Sequence, residues 1–265
     1  MPARFWEYYL REPTLTLLIL GNLVFGAAAL LLALTAVLLR LANDRKARRW
    51  GALEAAWESC CLDVVVGLDP PERMWALVKP GDRLYFLNFL MRFAKRVSGP
   101  ERRIVDDLAE PYLDQVVQQL QLRVPERRAR AVQTLSRLGR RRHAGLLLQA
   151  LDDRSPLVAM VAARALARRE SPEFAGPILE RLRRFDQWRP SFLASMLAAM
   201  GPLVAPTLRL ALANEGYSPR TRGVAADGLR ELHDYEAADV AAAMLPRLVE
   251  RDLLAATLHL LAEVG

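Results

Sequence analysis

The sequence is poor in the residues that most often carry chemistry. It has two cysteines, adjacent at Cys60 and Cys61, three histidines, and only 7% aromatic residues. Neighbouring cysteines on a helix point about 100° apart and are badly placed to bridge each other, and no further Cys or His lies close by to complete a zinc site. Two buried or half-buried reduced thiols are expected. His143, His233 and His259 are far apart and form no HExxH-type pair that would put two ligands on one helical face. Walker-type phosphate loops and G-x-S-x-G elbows are missing as well. The acidic pairs Asp106–Asp107 and Asp152–Asp153 are consecutive and suit helix ends or turns, while His143 and His233 fall at turns between helices, where a surface or capping role is expected. No catalytic residue, metal ligand or cofactor site is assigned, and the protein reads as a binder rather than an enzyme. Linkers of Gly, Ser or acidic low complexity are lacking too, so the soluble part reads as one continuous body.

What is present is Leu, Ala and Arg in quantity, 52% hydrophobic residues and a net charge of +7 over 265 residues. The apolar residues recur at three and four spacing, the period of an amphipathic helix, which predicts an all-α protein. From Thr14 to Leu39 no charged residue occurs. At about 1.5 Å per residue that run is about 39 Å long as a helix, more than the ~30 Å of a bilayer core. It ends in Arg40 and a basic cluster rather than at small residues of a cleavage site, so it reads as a retained anchor. The expected organisation is an interfacial segment over 1–13, a transmembrane helix over 14–41, a membrane-proximal helical region over 42–124 that starts the solenoid, and helical repeats over 125–265.

The flanks predict orientation. Arg40, Arg45, Lys46, Arg48 and Arg49 follow the span, whereas Arg4 and Arg11 precede it with Glu7 and Glu12 among them. Positive flanks stay in the cytoplasm, which puts the N-terminus outside and the large C-terminal part inside. Phe5, Trp6, Tyr8 and Tyr9 suit the headgroup region. Within the span Asn22, Gly26, Ala29, Ala33 and Ala36 fall at steps of four and three, a stripe of small residues with one amide of the sort that packs against another helix in lipid.

The second half repeats. Leu135, Leu166, Leu197, Leu229 and Leu261 recur at intervals of 31, 31, 32 and 32. Thirteen residues past the first four lie Leu148, Leu179, Leu210 and Ala242, and sixteen past lie Leu151, Leu182, Ala213 and Leu245. These apolar companions predict a second helix of fixed register in each unit. Ser155 and Ser218 are candidate helix caps, with Pro156 and Pro219 in the first turn. A helical pair of this length cannot bury its own apolar face, but stacked copies form a continuous core, an α-solenoid. The last unit has its first helix and stops at Gly265. Either that apolar edge is covered by another surface or the natural chain continues, and continuation is the expectation.

Residues 152–184, "DDRSPLVAMVAARALARRESPEFAGPILERLRR", resemble a HEAT repeat of the short bacterial type, also called HEAT-like or phycobilisome-lyase-type: a Pro-containing acidic entry, a "V..AARAL" first helix and an apolar second helix. The resemblance covers 125–265 well and 82–122 loosely. It implies a HEAT-like solenoid and for function mostly a binding scaffold; with the charge-free run the expected fold is all-α, a transmembrane helix followed by that solenoid. It also brings in two enzyme classes, bilin lyases and one class of DNA glycosylase, neither of which requires a membrane anchor.

The remaining clue is basic. Arg127, Arg128, Arg130 and Arg137 lead to Arg140, Arg141 and Arg142, and the next unit adds Arg181, Arg183, Arg184 and Arg189. The run from Arg140 to Arg142 and the four arginines after it are taken as one candidate binding edge, with a solvated helical face as the bland alternative. An anionic membrane surface, an acidic protein and nucleic acid are the ligand classes to weigh. Nucleic acid is disfavoured because only Phe185 and Trp188 interleave with the arginines. The expected function is a scaffold on the bacterial inner membrane that docks a partner protein from the cytosol. At least one partner would be integral to the membrane, for example a glycosyltransferase of an envelope polysaccharide system.

Overall fold

The computed structural model describes residues 13–139, 143–169 and 171–265, with the side chains of Pro13, Leu15, Thr16 and Lys46 excepted. The aromatic and charged residues expected to flank the span on its N-terminal side, from Arg4 to Glu12, lie outside the described residues. No strand occurs among those described. The chain divides into two compact bodies, residues 1–63 and 64–265.

The first body is carried by one helix, α1 (Pro13–Val66). Sequence spacing predicts a span that ends near residue 41 and a separate helix from 51, but α1 continues through the basic cluster without a break. Its 54 residues make it about 80 Å long. Arg, Lys, Ala, Leu and Glu, strong helix formers, outnumber the weak formers Asn43, Asp44 and Gly51 between 40 and 58, and no proline interrupts the ladder there. Between Leu17 and Leu39 every residue is exposed, and one helix is thus long and apolar enough to cross a membrane. The helix stops at Gly67, whose φ of 83° is left-handed, a conformation glycine adopts without a Cβ penalty. Cys60 and Cys61 are buried and unbridged.

The second body is a two-layer stack. Its helices are α2 (Pro71–Leu77), α3 (Arg83–Phe93), α4 (Pro100–Ala109), α5 (Leu113–Gln119), α6 (Pro125–Leu138), α7 (Ala144–Ala150), α8 (Pro156–Ala167), α9 (Ala175–Glu180), α10 (Pro190–Ala198), α11 (Ala205–Ala213), α12 (Pro219–Glu231), α13 (Ala237–Met244) and α14 (Arg251–Val264). Proline opens α2, α4, α6, α8, α10 and α12, where its missing N–H is one the helix would leave unpaired anyway. Of the two expected serine caps, Ser218 accepts from the Thr221 N–H at 3.2 Å. Ser155 caps nothing with its side chain; instead its own N–H donates to Asp153 Oδ1 at 2.8 Å.

Repeats one to four are α6–α7, α8–α9, α10–α11 and α12–α13. First helices follow one another in one layer, α3 on α6, α6 on α8, α10 on α12 and α12 on α14, and α9, α11 and α13 succeed one another in the other. Leu135, Leu166, Leu197 and Leu229 are all fully buried, as the period predicts, each contributing about 2 kcal/mol of burial free energy. Leu261 keeps the register but is only half-buried.

The second-helix register holds at Leu151, Leu179 and Leu182, which are buried, and is corrected at other positions. Leu148 is half-buried, Leu210 is 73% exposed, and Ala213 and Ala242 are exposed. Repeat three buries Leu208, Ala211 and Leu212 in place of the expected pair, and repeat four buries Ala237 and Ala241. The turns joining the two helices of a repeat differ in length from repeat to repeat. Each residue gained or lost rotates the following helix by about 100°. Between α10 and α11 the chain turns on Gly201, at φ 86°.

Candidate functional site

The arginines of the solenoid fall into two populations. The first ties repeats together. Arg128, with its side chain 4% exposed, opens toward Asp153 in a planar fork, Nε to Oδ2 and Nη2 to Oδ1, both at 2.8 Å. Its remaining Nη1 donates to the carbonyls of Leu122 and Arg123 at 2.8 and 2.9 Å. Arg181 makes a second fork to Asp152, at 2.8 and 2.9 Å, and Arg184 donates to the Asp153 carbonyl. Arg220 reaches the Trp188 carbonyl and the Asp186 carboxylate, Arg209 pairs with Glu236 and Asp234, and Arg230 with Glu263 at 3.4 Å. Most of these bonds join residues about one repeat apart, so the cation of one repeat is held by an acceptor of its neighbour.

These pairs shift titration as expected. Hydrogen bonds from Arg181 hold the Asp152 carboxyl below its ordinary range. Burial pushes the Asp153 carboxyl up, but the Arg128 fork and the Ser155 N–H outweigh it and hold that carboxyl low as well.

The second population lies on the outer face of the first-helix layer. Arg92, Lys95, Arg130 and Arg137, with Asn88 and Gln133 between them, line a depression of about 380 Å³ between α3 and α6. Arg164 and Arg168 line a second depression of about 340 Å³ with Phe192 and Met196, between α8 and α10. The two sets adjoin. Burial, and then the charges of Arg164 and Arg137, push Arg168 below its ordinary value, so these cations repel one another. Among the described residues no carboxylate pairs with Arg137, Arg164 or Arg168. Arg164 instead stacks over the Phe192 ring at 5.7 Å, and Arg137 Nε is enclosed without a hydrogen-bond partner.

The second depression has a structural cause. α8 and α10 meet only sparingly, because the 3₁₀ turn Leu182–Phe185 packs on α8 in that place. Phe185 is fully buried there, with Trp188 edge-on at 6.0 Å.

The strip changes sign along the stack. Arg137 and Arg168 occupy equivalent positions one period apart. The same register continues through Ala199 to Glu231 and Glu263. At that end the charges are internally matched: Ser195 donates to Glu231 at 2.8 Å, while Arg230 and His233 both face Glu263.

The residues singled out from sequence are dispersed. Asn22, Gly26, Ala29, Ala33 and Ala36 share the exposed apolar part of α1. Arg40, Arg45, Arg48 and Arg49 lie exposed on the same helix, Arg49 over the Trp50 ring at 5.4 Å, and the Lys46 side chain is outside the described residues. Arg140, Arg141 and Arg142 also lie outside them. Arg181 and Arg184 are held between repeats, and Arg183 and Arg189 are exposed. His143, expected at the surface, is buried beside the turn at Gly139, whereas His233 is exposed and sits at φ 52°. Lys95, Arg164 and Arg168 were missed because none of them belongs to a run as long as Arg140–Arg142. Their signal is the interval of 31 between Arg137 and Arg168, the same as that of the buried leucines. No group of three or more His, Cys, Asp or Glu that could hold a metal occurs among the described residues.

Residues 113–198 match a family described as HEAT repeats; no curated protein and no solved structure matches the chain. The matched segment runs from the start of α5 to the end of α10, and the same two-helix unit continues through α11, α12 and α13. Residues 113–198 thus carry HEAT repeats, a scaffold that typically serves protein interaction without catalysis.

Proposed function

We propose that this protein is a membrane-anchored scaffold whose HEAT solenoid docks a partner protein at a membrane-embedded assembly. The observation that supports it is α1, whose charge-free stretch is exposed from Leu17 to Leu39 and runs directly into Arg40, Arg45, Arg48 and Arg49. That arrangement fits a single-pass anchor with its cationic end and the solenoid on the cytoplasmic side of a bacterial inner membrane. An anchor confines the solenoid to two dimensions and raises the effective concentration of membrane partners. The stripe from Asn22 to Ala36 offers one of them a close-packing face. An accessory role beside a glycosyltransferase of an envelope polysaccharide system fits this reading.

The test is purification of the tagged protein from its native membranes in mild detergent, followed by mass spectrometry. A control replaces residues 14–39 with an unrelated span. A stoichiometric integral-membrane partner, lost in the control, is the expected result. Recovery of the protein alone, or with only lipid or nucleic acid, would overturn the scaffold reading.

A further inference from the structure

The scaffold reading leaves open what the solenoid grips, and the outer face of the first-helix layer narrows the choice. Resting on that reading, we propose that an acidic segment of the partner protein docks along this face. Its carboxylates would engage Arg137, Arg164 and Arg168, and an apolar side chain would enter the gap between α8 and α10 against Phe192 and Met196.

Three observations carry the proposal. The first is a contrast within the molecule: Arg128 and Arg181 each close on a carboxylate in a planar fork, whereas Arg137, Arg164 and Arg168 line depressions of the first-helix layer with no carboxylate partner among the described residues. Cations gathered this way are held together by the fold and are relieved by an incoming anion. Guanidinium is also the cation whose donor geometry matches carboxylate in two parallel hydrogen bonds.

The second is shape. Arg137 is half-buried with Nε enclosed, and the exposed Arg164 and Arg168 lie along a shallow depression. An extended or helical peptide can follow such a depression and meet both the enclosed and the exposed guanidinium groups. The third is the mixed lining. Phe192, 37% exposed, supplies an apolar contact beside the charges, and Asn88 and Gln133 supply amide hydrogen bonds further along. Nucleic acid would call for rows of aromatic faces on which bases stack. A peptide carrying both carboxylates and an apolar anchor uses the arginines, the amides and Phe192, while Ser195, which also lines the second depression, is held by Glu231.

The test uses the full chain in detergent micelles and a fluorescent peptide of repeating Glu-Glu-Leu-Asp, read by anisotropy. Saturable binding is expected, weakening as salt rises. The double variant Arg164→Glu/Arg168→Glu should bind at least about tenfold more weakly, equivalent to about 1.4 kcal/mol. Reversing the exposed Arg183 and Arg189 to Glu should leave binding unchanged, and circular dichroism should show all variants folded. Absence of binding, or equal loss on reversing Arg183 and Arg189, would overturn the proposal. So would tighter binding of phosphatidylglycerol vesicles or of a single-stranded oligonucleotide in competition. The membrane pull-down keeps the two readings apart. A stoichiometric partner that the double variant still holds at full strength sinks the strip alone, while the absence of any stoichiometric partner from the parent protein sinks the scaffold.

Discussion

Arg128, on α6, and Arg168, at the C-terminal end of α8, are the same residue type in neighbouring repeats, and they do opposite things. Arg128 is closed in by an aspartate of the next repeat and two carbonyls of the preceding turn; Arg168 looks out at Arg164 and Arg137. One arginine is part of the joint between repeats, and the other belongs to a surface held ready for something else. Repetition explains how both arise. A period of about 31 residues brings any side chain close to its equivalents in adjacent repeats, so a cation offset onto an acceptor becomes a staple, and a cation in register with another cation becomes part of a strip.

The sharpest way to break this contrast is to remove the buried staple. Arg128→Ala leaves Asp153 without its fork and two carbonyls without donors. Loss of one partner of a buried ion pair typically costs about 3–5 kcal/mol, so a large drop in thermal midpoint is expected by circular dichroism of the full chain in micelles. Gly139→Ala comes next. A Cβ at this position would stand 2.2 Å from the Leu135 carbonyl oxygen, and relieving that overlap should cost about 1–3 kcal/mol, measured the same way.

Acid should loosen the staples and spare the strip. Asp152 and Asp153 have folded-state values held below the ordinary carboxylate range. Their contribution to stability is therefore fully present above the unfolded value, about 3.9, and is lost as pH falls through the folded value. A thermal midpoint that declines on acidification below about pH 4, with the decline reduced in Asp152→Asn/Asp153→Asn, is the expected profile. The smallest effect should come from the strip. Arg168→Gln removes a charge that its neighbours repel, so stability should stay within about 0.5 kcal/mol of the parent or rise slightly. A loss as large as that of Arg128→Ala would erase the distinction.

How much of this was legible beforehand depends on the length of chain between the signals. The leucine period located the first helices correctly, since Leu135, Leu166, Leu197 and Leu229 sit near the middle or end of helices whose spacing is nearly constant. The second helices could not be phased from the same leucines, because turns of unequal length intervene; Leu210 points outward for this reason. The strip escaped notice for a related one. The eye goes to "GRRRH", where charge is contiguous, while Arg137, Arg164 and Arg168 become neighbours only when α6 is laid against α8. The staples were equally hidden, as Arg128 and Asp153 are 25 residues apart and nothing local connects them.

The sparse meeting of α8 and α10 has a mechanical corollary. A stack of stiff helical pairs yields where adjacent layers grip each other least, and here the first-helix layer has one such seam, with a staple at Arg128 and Asp153 on one side of it and α10, α12 and α14 tightly packed on the other. A side chain lodged in the seam beside Phe192 acts as a shim. By setting the width of that opening it would swing repeats three and four as a lever, so that an event at a single residue is read as a displacement at α14.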